Sequence, residues 1–566
     1  MPARPSIVLC PFNPVVGAVE SNARVMADLA RRAADGGAAL AVFPELAICG
    51  YPPRDLLLQR GFVERCEQVC ADMQASIAGV ATVVGVPVRL PGGGIANALR
   101  VRLSSGEVVV YHKRLLPTYD VFDEDRYFEP GEAPRVVDVA GVKVGLAICE
   151  DLWGGRDAGF AARYAGAADP VAELVAMGAS VIVSPSASPF VVGKHHKHRE
   201  IVRGHAVRHG ITVASVNQLG ANDELIFDGH AFAYGPDGSM IADALPFRDQ
   251  GPVALGMNAA VPAASGGERA PEADLFDALC LGVRDYFVKT GFRDAVLGLS
   301  GGIDSALTAV IAHVALRQVP GSRGVTGLAM PSRYSSGHSV EDAVESARRL
   351  GCPCHVVPIE PGFDGARVMT DGLLAMTGDA RLGERLPDLA EENLQSRIRG
   401  TLLMTLSNRT GSLVLTTGNK SELAVGYCTL YGDMNGGLAV LADVTKTWVY
   451  RLSRWINANH VSIGLAQPPI PQRSIDKAPS AELRPGQTDQ DSLPPYDVLD
   501  GIVERYVEER MEPEAIIAAG FDEPTVRRVV RLIDLSEYKR RQAAIALKVT
   551  SVAFGTGRRF PVAWRR

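Results

Sequence analysis

Residues 256–273, GMNAAVPAASGGERAPEA, constrain this chain more than any other stretch. They are rich in Ala, Pro, Gly and Ser and show neither the period of a strand nor that of an amphipathic helix, so they have no face to bury. On each side of them, short β-branched segments alternate with helical ones. The chain is therefore expected to fold as two bodies, residues 1–255 and 274–566, joined by a linker over 256–273. A length of 566 residues excludes a single core in any case.

In the first body SIVLCPF, ALAVFPEL, ATVVGVPVRL, EVVVYHKRLL, VKVGLAICEDL, ASVIVSPSAS and ITVASVNQ read as buried strands, with helices over Ser21–Asp35 and Gly61–Ala78. This is an α/β layered pattern. In the second, a helix over Asp274–Thr290 leads into DAVLGLSGGIDSALTAVIAHVAL, and GVTGLAMP, CHVVPI and SLVLTTGN follow as strands between helices. That rhythm predicts a doubly wound parallel sheet. The last seventy residues or so read as helical, and the proline-rich polar interval 467–495 reads as a long functional or mobile loop.

Charge narrows the partners. A net charge of −6, with 58 Lys plus Arg against 64 Asp plus Glu, leaves no basic footprint for nucleic acid or an anionic membrane. Any phosphate has to be met locally. Apolar runs such as Val80–Val88 are too short to span a bilayer, and the N-terminus lacks the apolar core of an export signal. Nine cysteines, an odd number without paired CxxC motifs, fit reduced thiols in the cytoplasm, one of them a candidate nucleophile.

The strongest motif is Ser300-Gly301-Gly302-Ile303-Asp304-Ser305 between a strand and a helix. Two glycines let the backbone approach an anion, Ser300 and Ser305 add hydroxyls, and the helix N-terminus points N–H groups at the same place. It has neither the GK[ST] ending of a Walker A loop nor the GxGxxG spacing. It resembles the loop of N-type ATP pyrophosphatases, which adenylate a substrate and release pyrophosphate. GLAMPSRYSSGHSVEDA, EENLQSRIRG, LTTGNKSELAVGYCTLYGDMNGG, DVTKTWVY and FGTGRRFPV, in that order, are similar to segments of the NAD synthetase family. The resemblance implies an adenine nucleotide alpha hydrolase-like fold, ATP as co-substrate held by residues 298–305 and Thr417, and Mg²⁺ on Asp304 and Glu422. It further implies deamido-NAD contacts at Asn393, Glu422 and Lys539. Lys446 and Lys477 are candidates for neutralising pyrophosphate as it leaves.

Cys149 stands in VGLAICEDLW, where a strand end lets a side chain reach a cleft; Glu45 in FPEL and Lys113 in HKRLLP stand at similar ends. A thiolate attacks amide carbonyls, a carboxylate can shuttle its proton, and an ammonium can hold an oxyanion. In chain order these residues resemble the Glu-Lys-Cys triad of the nitrilase superfamily. That resemblance implies an α-β-β-α sandwich, Glu124 as support, and L-glutamine contacts at Tyr119, Ser188 and Lys194. His195, His196 and His198 alternate with Lys194, Lys197 and Arg199 and read as a basic helix start on the surface.

Together the halves resemble glutamine-dependent NAD synthetases: ammonia freed from glutamine in one body amidates an adenylated carboxylate in the other. Relatives form homo-oligomers, often octamers, and the same is expected here. Three alternatives stay open at this point. A different glutamine amidotransferase could use the same ATP loop, although one glutaminase type needs an N-terminal cysteine that Met1-Pro2 does not supply. A hydrolase of other amides, or a binding protein that has lost catalysis, would share the folds.

Overall fold

The computed structural model describes residues 6–154, 161–167, 169–256, 269–377 and 388–564. It divides into two compact units, Met1–Asp274 and Leu275–Arg566. Most of the expected linker, 257–268, lies outside the described residues.

The first unit opens with β1 (Ser6–Leu9), β2 (Ala38–Val42), β3 (Ala81–Arg89), β4 (Ile95–Arg102) and β5 (Val108–His112). It continues with β6 (Val136–Val139), β7 (Val142–Leu146), β8 (Val181–Ser186) and β9 (Thr212–Asn217). A hairpin of β10 (Leu219–Asn222) and β11 (Leu225–Asp228) precedes β12 (Ala231–Tyr234), β13 (Met240–Asp243) and β14 (Val253–Ala254). Two six-stranded sheets result, ordered β14-β1-β2-β3-β4-β5 and β13-β12-β9-β8-β7-β6. Alternation along each strand decides the layering. Ile7, Leu9, Leu40, Val42 and Val83 pack against Val144, Leu146, Val181, Val183, Ala214 and Val216 of the other sheet. Their neighbours Val8, Ala41, Val84 and Val86 face the opposite way, against Val19, Met26, Ala30, Val63 and Met73 of the helices Val19–Asp35 and Phe62–Ala75. Ile182, Val213 and Phe232 likewise meet Val171, Leu174, Val202 and Ala206 of the helices Pro170–Ala176 and Lys194–His209. The layers run α-β-β-α.

The second unit begins within helix Pro271–Thr290, which starts earlier than the expected Asp274 because a proline is well placed in the first turn. Its strands are β15 (Ala295–Gly298), β16 (Val325–Ala329), β17 (Cys354–Val356), β18 (Leu413–Thr416), β19 (Leu438–Ala439) and β20 (Ile545–Ala546). All pair in parallel, in the order β17-β16-β15-β18-β19-β20. The chain runs outward from β15 in one direction and then outward from β18 in the other, so strand order reverses between these two. In open α/β sheets the crevice at that switch, beyond the carboxyl ends of the strands, takes ligands.

Three expectations change. The terminal segment is helical only as far as Glu537–Arg540, after which it is irregular apart from the short β20. The interval 467–495 is not a bare loop, since it holds helix Gln472–Asp476 and a turn of 3-10 helix at Asp489–Asp491. His198 is not on the surface: it is buried, its ring 4.8 Å from Trp153 and 5.1 Å from Phe232. No helix among the described residues is long and apolar enough to cross a membrane.

Candidate active sites

In the first unit the ends of β2, β5 and β7 converge. Gly85 of β3 makes room for the turn after β2: a Cβ there would stand 2.3 Å from Leu46 N and 2.4 Å from Pro44 O. The turn delivers Glu45 to the interior, 1% exposed. Lys113, just past β5 and also 1% exposed, donates to Glu45 Oε1 at 2.6 Å and to Glu124 Oε1 at 2.9 Å. Asn97 Nδ2 donates to Glu45 Oε1 at 2.7 Å, and the Ala187 N–H to Glu45 Oε2 at 3.0 Å. Tyr51 OH donates to Glu124 Oε1 at 3.1 Å. A buried ammonium thus sits between two buried carboxylates, every one of them hydrogen-bonded, as low-dielectric surroundings require.

Cys149 follows β7 as the cap of the short helix Glu150–Trp153, with φ 41° and ψ −97°. A non-glycine residue holds such a conformation only where its surroundings enforce it. Burial pushes the Cys149 thiol up, Glu45 adds to the rise, and Lys113 opposes it. Burial works against the Lys113 ammonium, but Glu124 and Glu45 outweigh it and hold the amine well above its ordinary value. Burial lifts Glu124 to about 7, against the pull of Lys113. The resting pair is therefore a neutral thiol beside a charged lysine.

Tyr119 OH donates to Glu150 Oε2 at 2.8 Å, which places it beside the residue that follows Cys149. Ser188 is buried, its N–H bound to Asn217 Oδ1 at 2.8 Å, one residue beyond the Ala187 amide that holds Glu45. Lys194 Nζ lies 5.2 Å from the centre of the Trp153 ring. Asn97 and Glu150 were not singled out from the sequence. Asn97 had a signal, a polar residue within a strand pattern set between the turns PGGG and SSG.

In the second unit a cavity of about 320 Å³ opens at the switch point, lined by residues following β15, β16 and β18. Gly298, Leu299, Ser300, Gly302, Ile303, Asp304, Ser305, Thr417 and Glu422 all line it. Gly301 does not face the cavity: at φ 77° it backs onto Ser339, whose carbonyl oxygen would lie 2.2 Å from a Cβ. Ser300 and Ser305 hydroxyls lie 3.1 Å apart, and Gly302 N–H donates to Ser300 Oγ at 3.2 Å. These bonds shape the loop at the N-terminus of helix Ile303–Leu316.

Asn419 joins the acidic groups. Its Nδ2 donates to Asp304 Oδ1 at 2.9 Å, while its Oδ1 accepts from Glu422 N at 3.0 Å in a capping box. Lys446, 2% exposed, donates to Asp304 Oδ2 and, at 3.2 Å, to Glu422 Oε1. It is no solvated surface lysine. Burial raises the Glu422 carboxyl to about 7 while Lys446 pulls it down. Lys477 and Glu482 of the proline-rich interval also line the cavity, 2.6 Å apart, so that interval forms a wall of the site. Two residues stand off the lining. Lys539 Nζ donates to the carbonyls of Gly426 and Cys428 at 2.8 and 2.7 Å, and Asn393 Oδ1 accepts from Thr429 Oγ1 at 2.8 Å.

An α-β-β-α sandwich with a buried thiol, carboxylate and ammonium and a doubly wound sheet with a phosphate-type glycine loop thus stand on one chain. Residues 7–251 match the carbon-nitrogen hydrolase family and residues 275–543 the NAD synthase family. The chain is 45% identical over 571 residues to the glutamine-dependent NAD(+) synthetase of Synechocystis sp., covering 99% of this chain and 98% of that one. It is 44% identical to the enzyme of that name from Xanthomonas campestris pv. campestris, with 98% and 97% covered. Among solved structures, the glutamine-dependent NAD+ synthetase of Acinetobacter baumannii in complex with adenosine diphosphate is 37% identical, with a TM-score of 0.74 and 98% of each chain covered. This chain belongs to the glutamine-dependent NAD(+) synthetase family.

Proposed function

We propose that the two sites divide one reaction between them. The enzyme amidates deamido-NAD(+) to NAD(+) with ammonia released from L-glutamine, consuming ATP and giving AMP, diphosphate and glutamate. Free ammonia is mostly protonated at neutral pH and a poor nucleophile, so releasing it from glutamine inside the protein keeps it reactive. The observation that carries this reading is the joint presence of the buried Glu45–Lys113 pair beside Cys149 and the glycine loop at the sheet's switch point.

Glu45 takes the Cys149 proton as sulfur attacks the glutamine side-chain carbonyl, and Lys113 holds the oxyanion. The C–N bond then breaks, the proton passes to nitrogen, and NH3 leaves. Glu45 next deprotonates the water that cleaves the glutamyl thioester. Glu124 supports Lys113. Tyr119, Ser188 and Lys194 orient the glutamine, and the Glu150 carboxylate matches its α-ammonium.

At the second site the loop 298–305 and Thr417 hold ATP, Ser300 and Ser305 supplying hydroxyls. Asp304 and Glu422 both reach Lys446, and their hard carboxylate oxygens, completed by phosphate oxygens, would suit Mg²⁺. When bound there, Mg²⁺ would neutralise phosphate charge. The deamido-NAD carboxylate attacks the α-phosphorus, diphosphate departs toward Lys446 and Lys477, and NH3 displaces AMP from the adenylate. Asn393 and Lys539 serve deamido-NAD by holding the segment 426–429, whose Tyr427 and Cys428 line the cavity. We place the enzyme in the cytoplasm as a homo-oligomer, by family resemblance an octamer, which sedimentation tests.

Mutation separates the halves. Cys149→Ala abolishes glutamine-supported NAD formation and spares the ammonium-supported rate, while Asp304→Ala stops AMP release from either nitrogen source. Loss of both routes in folded Cys149→Ala, or normal turnover by Asp304→Ala, overturns the assignment.

A further inference from the structure

Asp151 does not enter the chemistry above, yet it sits between the two arms that carry it. Its Oδ2 accepts from the Ile148 N–H at 2.8 Å and the Tyr111 hydroxyl at 2.7 Å. Its Oδ1 accepts from the N–H groups of Arg114 and Leu115 at 3.2 and 3.0 Å. One carboxylate therefore fastens the residue before Cys149 and the two residues after Lys113. The side chain is buried, as is Tyr111. Burial pushes its carboxyl up, against the hydrogen bonds that favour the anion. Packing alone gives no reason to bury a carboxylate, since an apolar side chain fills space without the cost of desolvation. Four convergent donors do give one. Cys149 also needs a restraint: its backbone lies at φ 41°, and its N–H is tied at 3.0 Å to Pro185 O on the far side.

We propose that Asp151 is a positioning residue for the glutaminase: it sets the separation of the Cys149 thiol from the Lys113 ammonium and thereby governs thioester formation, not glutamine binding. This rests on the roles given above to Cys149 and Lys113. Asp151→Asn discriminates sharply. An amide has one acceptor oxygen and one NH2, so it must turn the NH2 either toward Ile148 N and Tyr111 or toward Arg114 N and Leu115 N. The Tyr111 hydroxyl can reverse its role and accept, but a backbone N–H cannot, so the amide loses either the Ile148 bond or both the Arg114 and Leu115 bonds while the shape of the side chain is kept.

The test uses the full-length enzyme, with rates expressed per mole of folded protein. In Asp151→Asn, kcat for glutamine-supported synthesis falls about 10²-fold, the effect of roughly 1 Å of misplacement, at unchanged KM for glutamine. The ammonium-supported rate stays the same. Tyr111→Phe, which removes one of the four donors, gives a smaller fall in kcat, again at constant KM, and serves should the Asn variant fail to fold. An unchanged kcat, or a raised KM with kcat retained, overturns the proposal. Cys149→Ser separates the two levels: if it supports glutamine-dependent synthesis, the reading of the site fails; if it does not and Asp151→Asn is fully active, only the positioning role fails.

Discussion

Replacing Gly85 by alanine adds one methyl group where β3 passes under the turn that carries Glu45. The new carbon would stand 2.3 Å from Leu46 N, 2.4 Å from Pro44 O and 2.7 Å from the Glu45 carbonyl carbon. All three are backbone atoms, so no side-chain rotation relieves the clash. Comfortable contact needs about 3.5 Å, which forces the turn back by roughly 1 Å. Glu45 is held by bonds of 2.6 Å to Lys113, 2.7 Å to Asn97 and 3.0 Å to Ala187 N, and a retreat of that size breaks them. Displacing a catalytic group so far costs on the order of 10²-fold in rate, about 2.7 kcal/mol in barrier, and overpacking takes about 1–3 kcal/mol from stability. The assay is NAD formation with glutamine and, in parallel, with an ammonium salt. Gly85→Ala loses about two orders of magnitude in kcat/KM for glutamine and keeps its ammonium-supported rate. A native glutamine rate, or equal loss of both routes in a folded protein, refutes the argument.

Gly301→Ala acts on the other half: at φ 77° and with Ser339 O 2.2 Å from the added carbon, the loop is displaced and AMP release fails with either nitrogen source. Lys420→Met removes the cation facing Asp443, its fully buried partner at 3.0 Å, and lowers stability by about 3–5 kcal/mol, read as a fall in the urea midpoint of the second unit's transition. Glu124, lifted to about 7 by burial, ionises as pH rises through that value; its charge then offsets the Lys113 ammonium that holds the oxyanion and pushes the Cys149 thiol up further, so kcat/KM for glutamine falls through the same range, and in Glu124→Gln the step disappears. Because this carboxyl titrates above its ordinary 4.5, it costs stability as pH rises from about 4.5 to 7, and the Gln variant flattens the pH dependence of Tm across that window.

What could be read from the residues depended on whether the information was contiguous. The glycine loop, its preceding strand and its following helix occupy one short stretch, and local propensity, spacing and anion chemistry agree there. Cys149, Glu45 and Lys113 were found through separate strand ends. Asn97 went unnoticed because an isolated asparagine in a strand says nothing about the carboxylates it will face after two sheets have packed. Lys446 is legible as a candidate for meeting pyrophosphate, but its burial is not, since that depends on Asp304, 142 residues away. Asn419 could have been recovered, because Asn-x-x-Glu before a helix is a capping signature, though its second bond to Asp304 depends on the tertiary fold. The irregular end of the chain was overread as helix: charged periodicity ends near Arg541, and beyond it Val549 and Thr550 donate their N–H groups to Asp443 instead of to a helical ladder.

Glu45 and Lys113 belong to strand ends of one sheet, whereas Cys149, itself part of the core between the sheets, belongs to the other. Within each sheet a ladder of backbone bonds fixes distances, but between the sheets the alignment rests on apolar side chains such as Leu9, Val42, Leu146 and Val183 and on a few polar ties, those of Asp151 to Tyr111, Arg114 and Leu115 and of Ala187 to Glu45. Glutamine turnover is therefore a gauge of interlayer alignment. A sideways slip of one layer would leave both ladders and the far-UV spectrum intact while silencing the thiol, so this half of the enzyme can stop working well before it unfolds.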